Sequence, residues 1–101
     1  MSITKNYNDK NSFCRVTFTL PKEIVKPESQ VCLAGKFNDW DMKSLPMKKK
    51  KDGGFALSID LEKGKAYQFK YIVDNHEWLN DSEADSYQNN EFNNDNSVVE
   101  T

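Results

Sequence analysis

Long apolar runs, helical periodicity, histidine and excess positive charge are what this sequence has least of. Each shortage narrows what the chain can be. No stretch approaches the roughly 20 apolar residues of a membrane span. Met1 to Ser12 is polar and lacks the roughly 7–15-residue apolar segment of a signal peptide, so the expected compartment is the cytoplasm. Cys14 and Cys32 are the only cysteines, and there they are expected to be reduced thiols. They are too few and too widely spaced for a zinc site and read as small hydrophobes. The formal net charge of −2 argues against a phosphate-backbone partner, which wants a basic stripe. Neither nucleic acid nor a membrane is an expected partner. Lys48 to Lys51 form the one basic run, read as a solvated hairpin arm, with an anionic partner as the alternative.

Catalytic chemistry has little to work with. The single histidine, His76, sits beside Asn75 in a turn. No serine or cysteine lies in a nucleophile elbow. Carboxylates are plentiful, but a sugar-cleaving pair also needs a deep cleft, and 101 residues leave little length to build one. Asp81, Glu83 and Asp85 alternate as a calcium loop begins. Ser86 and Phe92 then stand where that loop needs glycine and glutamate. No enzyme activity, cofactor or metal is expected.

What is present is alternation. Cys14, Val16, Phe18 and Leu20 share one face of an extended segment, with Arg15, Thr17 and Thr19 on the other. Phe55, Leu57, Ile59 and Leu61 repeat the pattern. So do Tyr67, Phe69, Tyr71 and Val73, with Ala66, Gln68, Lys70 and Ile72 opposite. Gln30 to Ala34, Leu45 to Lys50, Glu77 to Leu79 and Ser97 to Glu100 read as further short strands. Lys51-Asp52-Gly53-Gly54 reads as a hairpin turn, with Asp-Gly supplying positive φ. Asn80 to Asn96 reads as a long ordered loop. About seven short strands predict an all-β antiparallel sandwich. Residues 1–12 are expected to be a flexible segment and residues 13–101 a single domain.

The aromatics, 12% of the chain, are many for so modest a hydrophobic content, so some must lie near the surface. Trp40 follows Phe37-Asn38-Asp39, among acids and amides; Trp78 stands between Glu77 and Leu79, just past a turn. From pattern alone such a tryptophan is more often packing than platform. Two of them, both beside turns, point toward an exposed platform. An indole suits the C–H face of a pyranose, and neighbouring amides and an ammonium suit its hydroxyl rim. At about 100 Å² hidden per ring and ~25 cal/mol per Å², each tryptophan would contribute ~2.5 kcal/mol gross. Two rings barely exceed an association cost of about 4 kcal/mol. The expected affinity is therefore on the order of µM to mM, raised by avidity on a polymer.

Val31-Cys32-Leu33-Ala34-Gly35-Lys36-Phe37-Asn38-Asp39-Trp40 resembles the V-x-L-x-G-x-F-N-x-W opening of the glycogen-binding carbohydrate-binding modules. That family includes the glycogen-binding domain of the AMP-activated protein kinase β subunit and the N-terminal domains of isoamylases and branching enzymes. The likeness continues through Tyr67 to Asp74, Trp78-Leu79-Asn80-Asp81, Ala84 to Tyr87 and Asp95 to Val99, the last resembling short bacterial stand-alone members. It implies an immunoglobulin-like β-sandwich. It implies that Trp40 and Trp78 stack on glucose units and that Lys70 and Asn96 hydrogen-bond sugar hydroxyls. Phe92 falls where kinase-type members abut the glucan with leucine. Two departures stand out. The turn Asp74 to Glu77 is one residue longer than in kinase-type members, which would aim Trp78 at a slightly different angle, and Asn93 and Asn94 replace common glycines. The expected partner is an α-glucan. The alternative is a protein-interaction module that has lost sugar binding and associates with a glycogen-metabolising enzyme; a glycoside hydrolase ranks third.

Overall fold

A computed structural model describes residues 1–7, 10, 12–90 and 94–101. Among the described residues nine strands run in chain order: β1 (Ser2–Tyr7), β2 (Phe13–Leu20), β3 (Val31–Gly35), β4 (Lys48–Lys49), β5 (Phe55–Glu62), β6 (Ala66–Val73), β7 (Glu77–Leu79), β8 (Ser86–Asn89) and β9 (Asp95–Glu100). They form two antiparallel sheets, β1-β2-β5-β4 and β3-β6-β9-β8, with β7 also paired to β6. The result is the expected all-β, immunoglobulin-like sandwich. No helix among the described residues is long and apolar enough to cross a membrane.

The alternation read from the sequence places the core. Cys14, Val16, Phe18 and Leu20 are fully buried, and Phe55 and Leu61 nearly so. Opposite them lie Val31, Leu33, Phe69, Tyr71, Val73 and Val99. Phe18 meets Phe69 edge-on at 5.1 Å between ring centroids, which fastens one sheet to the other. Phe37 packs on the margin of this cluster, as expected, 6.3 Å from Phe18 and 6.1 Å from Tyr67.

The N-terminal expectation needs correction. Residues 2–7 are not a flexible segment; they form β1, paired along its length with β2 from Ser2–Thr19 to Tyr7–Cys14. β1 carries only a short apolar signal: Ile3, with Met1 before it, packs against the core. The strand completes the hydrogen-bonding edge of β2. Lys5, on the core-facing side opposite Val16, reaches the second sheet's loop and pairs with Asp85 at 2.6 Å. The Tyr7 hydroxyl donates to the Thr101 carbonyl at 3.1 Å.

Leu45 to Lys50 also behaves differently from one uniform strand. Leu45 and Met47 bond to β3 (Leu33 N–H to Leu45 C=O 2.9 Å, Met47 N–H to Val31 C=O 2.8 Å), whereas Lys48 and Lys49 join β5. The segment therefore changes sheets at buried Met47. Pro46, opposite Cys32, is tolerated because that ladder takes its N–H groups from Leu33 and Met47. In the following turn only Gly53 has positive φ (94°); Asp52 does not. Gly53 N–H bonds to Lys50 C=O and Lys50 N–H to Gly54 C=O, a three-residue loop with a glycine bulge. In the lysine run, Lys49 donates to the Pro27 carbonyl and Lys50 sits 3.6 Å from Asp52.

β6 is flanked on both sides. β3 pairs with residues 69–73; β9 pairs with 66–69 and β7 with 71–73. Gly35, at the end of β3 opposite Phe69, has no room for a side chain. An added Cβ would lie 2.4 Å from the Gln68 carbonyl oxygen and 2.9 Å from Phe69 and Phe37. Gly35→Ala should therefore force β3 away from β6 and cost about 1–3 kcal/mol. The shift in urea midpoint measures this, and an unchanged midpoint would contradict the close packing described.

Candidate functional site

Inward placement of Tyr67, Phe69, Tyr71 and Val73 turns Gln68, Lys70 and Ile72 to the outer face of the second sheet. Strand register then fixes their neighbours. Cys32, Ile72 and Trp78 form one row across β3, β6 and β7, and Ala34 lies beside Lys70 in the next. Ile72 is buried at 1% exposure despite facing outward, so this face is covered where Trp78 crosses it.

Trp78 is aimed by a hairpin. Asp74 (φ 52°) and Asn75 (φ 65°) are both left-handed, and His76 N–H bonds to Val73 C=O at 3.2 Å, closing a three-residue connection, Asp74 to His76, below the Val73–Glu77 pair. The turn is clamped to the β2–β3 connection. The Asp74 carboxylate accepts the Gln30 N–H at 2.9 Å and the Ser29 hydroxyl at 3.1 Å. The Gln30 N–H is the main cause of an Asp74 pKa below the usual carboxylate range. Trp78 emerges 42% exposed.

Trp40 is aimed by an amide. The Asn38 side chain accepts the Gly35 N–H at 2.9 Å and donates to the Asp41 carbonyl at 3.1 Å and Ser44 Oγ at 2.9 Å. Trp40 N–H closes the loop on Gly35 C=O at 2.9 Å. Asp39 and Trp40 are both left-handed, at φ 55° and 58°. That conformation costs roughly 1–2 kcal/mol for each non-glycine residue. Aspartate tolerates it through local hydrogen bonding; tryptophan has no such compensation, so the Asn38 bonds must hold it there.

The two rings share one hollow of about 680 Å³. Of the residues expected from the sequence, Trp40, Lys70, Trp78 and Asn96 all line it. Phe92 lies outside the described residues. Asn96 is 8% exposed and sits low in the hollow, donating to Gln68 Oε1 at 3.0 Å and accepting from Asn90 Nδ2 at 3.1 Å. Four further residues line the hollow: Lys36, Gln68, Asn90 and Asn94. The sequence carried a signal for Gln68, which shares the outward face of β6 with Lys70 two positions on. Lys36 follows the glycine that ends β3. Asn90 and Asn94 are brought in only when β8 and β9 pair, and no local pattern announces that.

The described lining therefore holds two ammonium groups, four side-chain amides and two indoles, and no carboxylate among the described residues. Neither Lys36 nor Lys70 is ion-paired among the described residues.

The loop bearing the amides rests on a buried acid. Asp81 is fully buried; its carboxylate accepts the Tyr71 hydroxyl at 2.6 Å and the Glu83 N–H at 2.8 Å, and its carbonyl accepts the Tyr87 hydroxyl at 2.6 Å. Burial first, and the Asp81 charge second, push the Tyr71 phenol well above its ordinary pKa. Asn80 Oδ1 accepts from both the N–H and the hydroxyl of Ser97, which carries the scaffold into β9. Asp81, considered from the sequence as a calcium ligand, is thus committed to the protein. No group of three potential metal ligands occurs among the described residues.

The hollow is open, lies on a sheet face and is lined by indoles, amides and ammonium groups. The family model described as the glycogen recognition site of AMP-activated protein kinase matches residues 25–101, and the chain belongs to that family of carbohydrate-binding modules. No curated protein matches the sequence.

If Asn38 holds Trp40 in place, Asn38→Ala should lower stability by about 1–3 kcal/mol, because the Gly35 N–H loses its acceptor. In a Trp78→Phe background it should also shift the remaining Trp40 emission. An unchanged spectrum would show that the loop is held otherwise.

Proposed function

We propose that the protein is a non-catalytic binder of α-1,4-linked glucan of the glycogen or starch type. Trp40 and Trp78 stack on the faces of glucose units of one chain. Lys70 and Asn96 meet the hydroxyl rim, with the neighbouring amides beside them. The observation that carries this reading is the convergence of two tryptophans, one from a braced loop and one from the strand after a braced turn, on a single hollow with no carboxylate among its described lining residues. Membership in a glycogen-recognition family supports it. The chemistry supports it as well: neutral amides and ammonium groups serve a polyol without ionising it, and the rings cover its C–H faces. With ~2.5 kcal/mol gross per ring, the affinity is modest for a short oligosaccharide and grows with repeated sites on a polymer.

Retardation in a glycogen-containing native gel and titration with maltoheptaose test the reading together. Trp40→Ala and Trp78→Ala should each weaken maltoheptaose binding about tenfold or more, the equivalent of at least 1.4 kcal/mol. Binding unchanged in both variants would overturn the assigned platform. No retardation of the wild type would overturn the function itself.

A further inference from the structure

We infer that Gln68 is a specificity-determining residue of this site, presenting its amide N–H₂ group as a hydrogen-bond donor to an acceptor oxygen of the bound glucan. The inference rests on the function proposed above. It starts from a group that can only donate. The backbone N–H of Asn94 bonds to the side-chain oxygen of Asn90 at 3.2 Å. This fixes which way the Asn90 amide points, and its Nδ2 therefore faces Asn96, whose Oδ1 accepts at 3.1 Å. With its oxygen so occupied, Asn96 turns Nδ2 toward Gln68 and donates to Oε1 at 3.0 Å. The last amide in the series has its polarity set from the first. Gln68 must accept on its oxygen, so its Nε2 is the end left over.

That Nε2 has no partner among the described residues, and Gln68 lines the hollow two residues along β6 from Lys70. Gln68 shares the hollow with Lys36 and Lys70, whose ammonium groups also can only donate. The floor of the site is therefore biased toward donors. A glucan chain supplies the complement: its ring and glycosidic oxygens only accept, and its hydroxyls can accept. The relay Asn94–Asn90–Asn96–Gln68 also makes the donor rigid, since a flipped Gln68 would set its own N–H₂ against that of Asn96. Little ordering is then left to do on binding.

A purely supporting role for Gln68 would use only its oxygen. Two variants separate the roles. Q68E keeps an acceptor for Asn96 and removes the donor; Q68M removes both and adds no charge. The proposal predicts that each weakens maltoheptaose binding about tenfold or more by calorimetric titration, with Q68E melting as the wild type does. It also predicts that the side-chain N–H₂ resonances of Gln68, assigned by their loss in Q68E, shift when wild type is titrated with maltoheptaose. Wild-type affinity in either variant, or unmoved Gln68 resonances at saturation, would overturn it. Wild type that binds no maltoheptaose would instead remove the function on which it rests.

Discussion

Strand β6 has hydrogen-bonded neighbours along both sides, β3 on one and β9 followed by β7 on the other. Its side chains are left with two directions, and much of the molecule follows from that. The odd positions send Phe69 and Tyr71 into the core, where they stack edge-on at 5.7 Å. The even positions send Gln68 and Lys70 to the outer face. A slip of one residue would expose the aromatics and bury an ammonium group, so the register that makes the core also makes the site. Gly35 tightens the same constraint, because β3 comes so close to β6 that a methyl group would not fit.

Regular structure does not reach the two places where the hollow needs most control, and a polar side chain acts at each. Asn38 braces the loop that carries Trp40; Asp81 braces the loop that leads to Asn90 and Asn94. A single hydrogen bond contributes only about 1 kcal/mol net, yet an orphaned buried donor costs more, so each hub is worth most as a constraint. The left-handed Trp40 shows what the constraint holds against. Asp81 adds a link between layers: its partner Tyr71 belongs to the β6 face that packs in the core, so the loop beneath the amides is tied to the centre of the sandwich.

The central strands and the core were legible because period-two alternation in β2, β5 and β6 reports burial directly. β1 was not legible. Only Ile3 and the preceding Met1 pack on the core, and the edge of β2 and the Lys5–Asp85 pair across the sheets leave no local apolar pattern. The change of sheet at Met47 was hidden in a run that reads as one strand. At the site, Trp40, Trp78, Lys70 and Asn96 could be picked out by residue type and by resemblance, and the structure gathers all four around one hollow. Lys36, Asn90 and Asn94 could not, since amides in a polar loop look like any others until β8 and β9 pair. The length of the turn before Trp78 was visible; its closure on Asp74 and Asn75 depended on anchoring to Ser29 and Gln30, more than 40 residues away.

The account as a whole turns on the two rings serving one ligand. The chain has two tryptophans, both lining the hollow, so its two indole N–H signals report each ring independently. Titrating ¹⁵N-labelled protein with maltoheptaose should move both signals together, along curves that fit one dissociation constant. Movement of only one indole signal at saturation, or of neither, would contradict the claim that Trp40 and Trp78 form a single glucan platform.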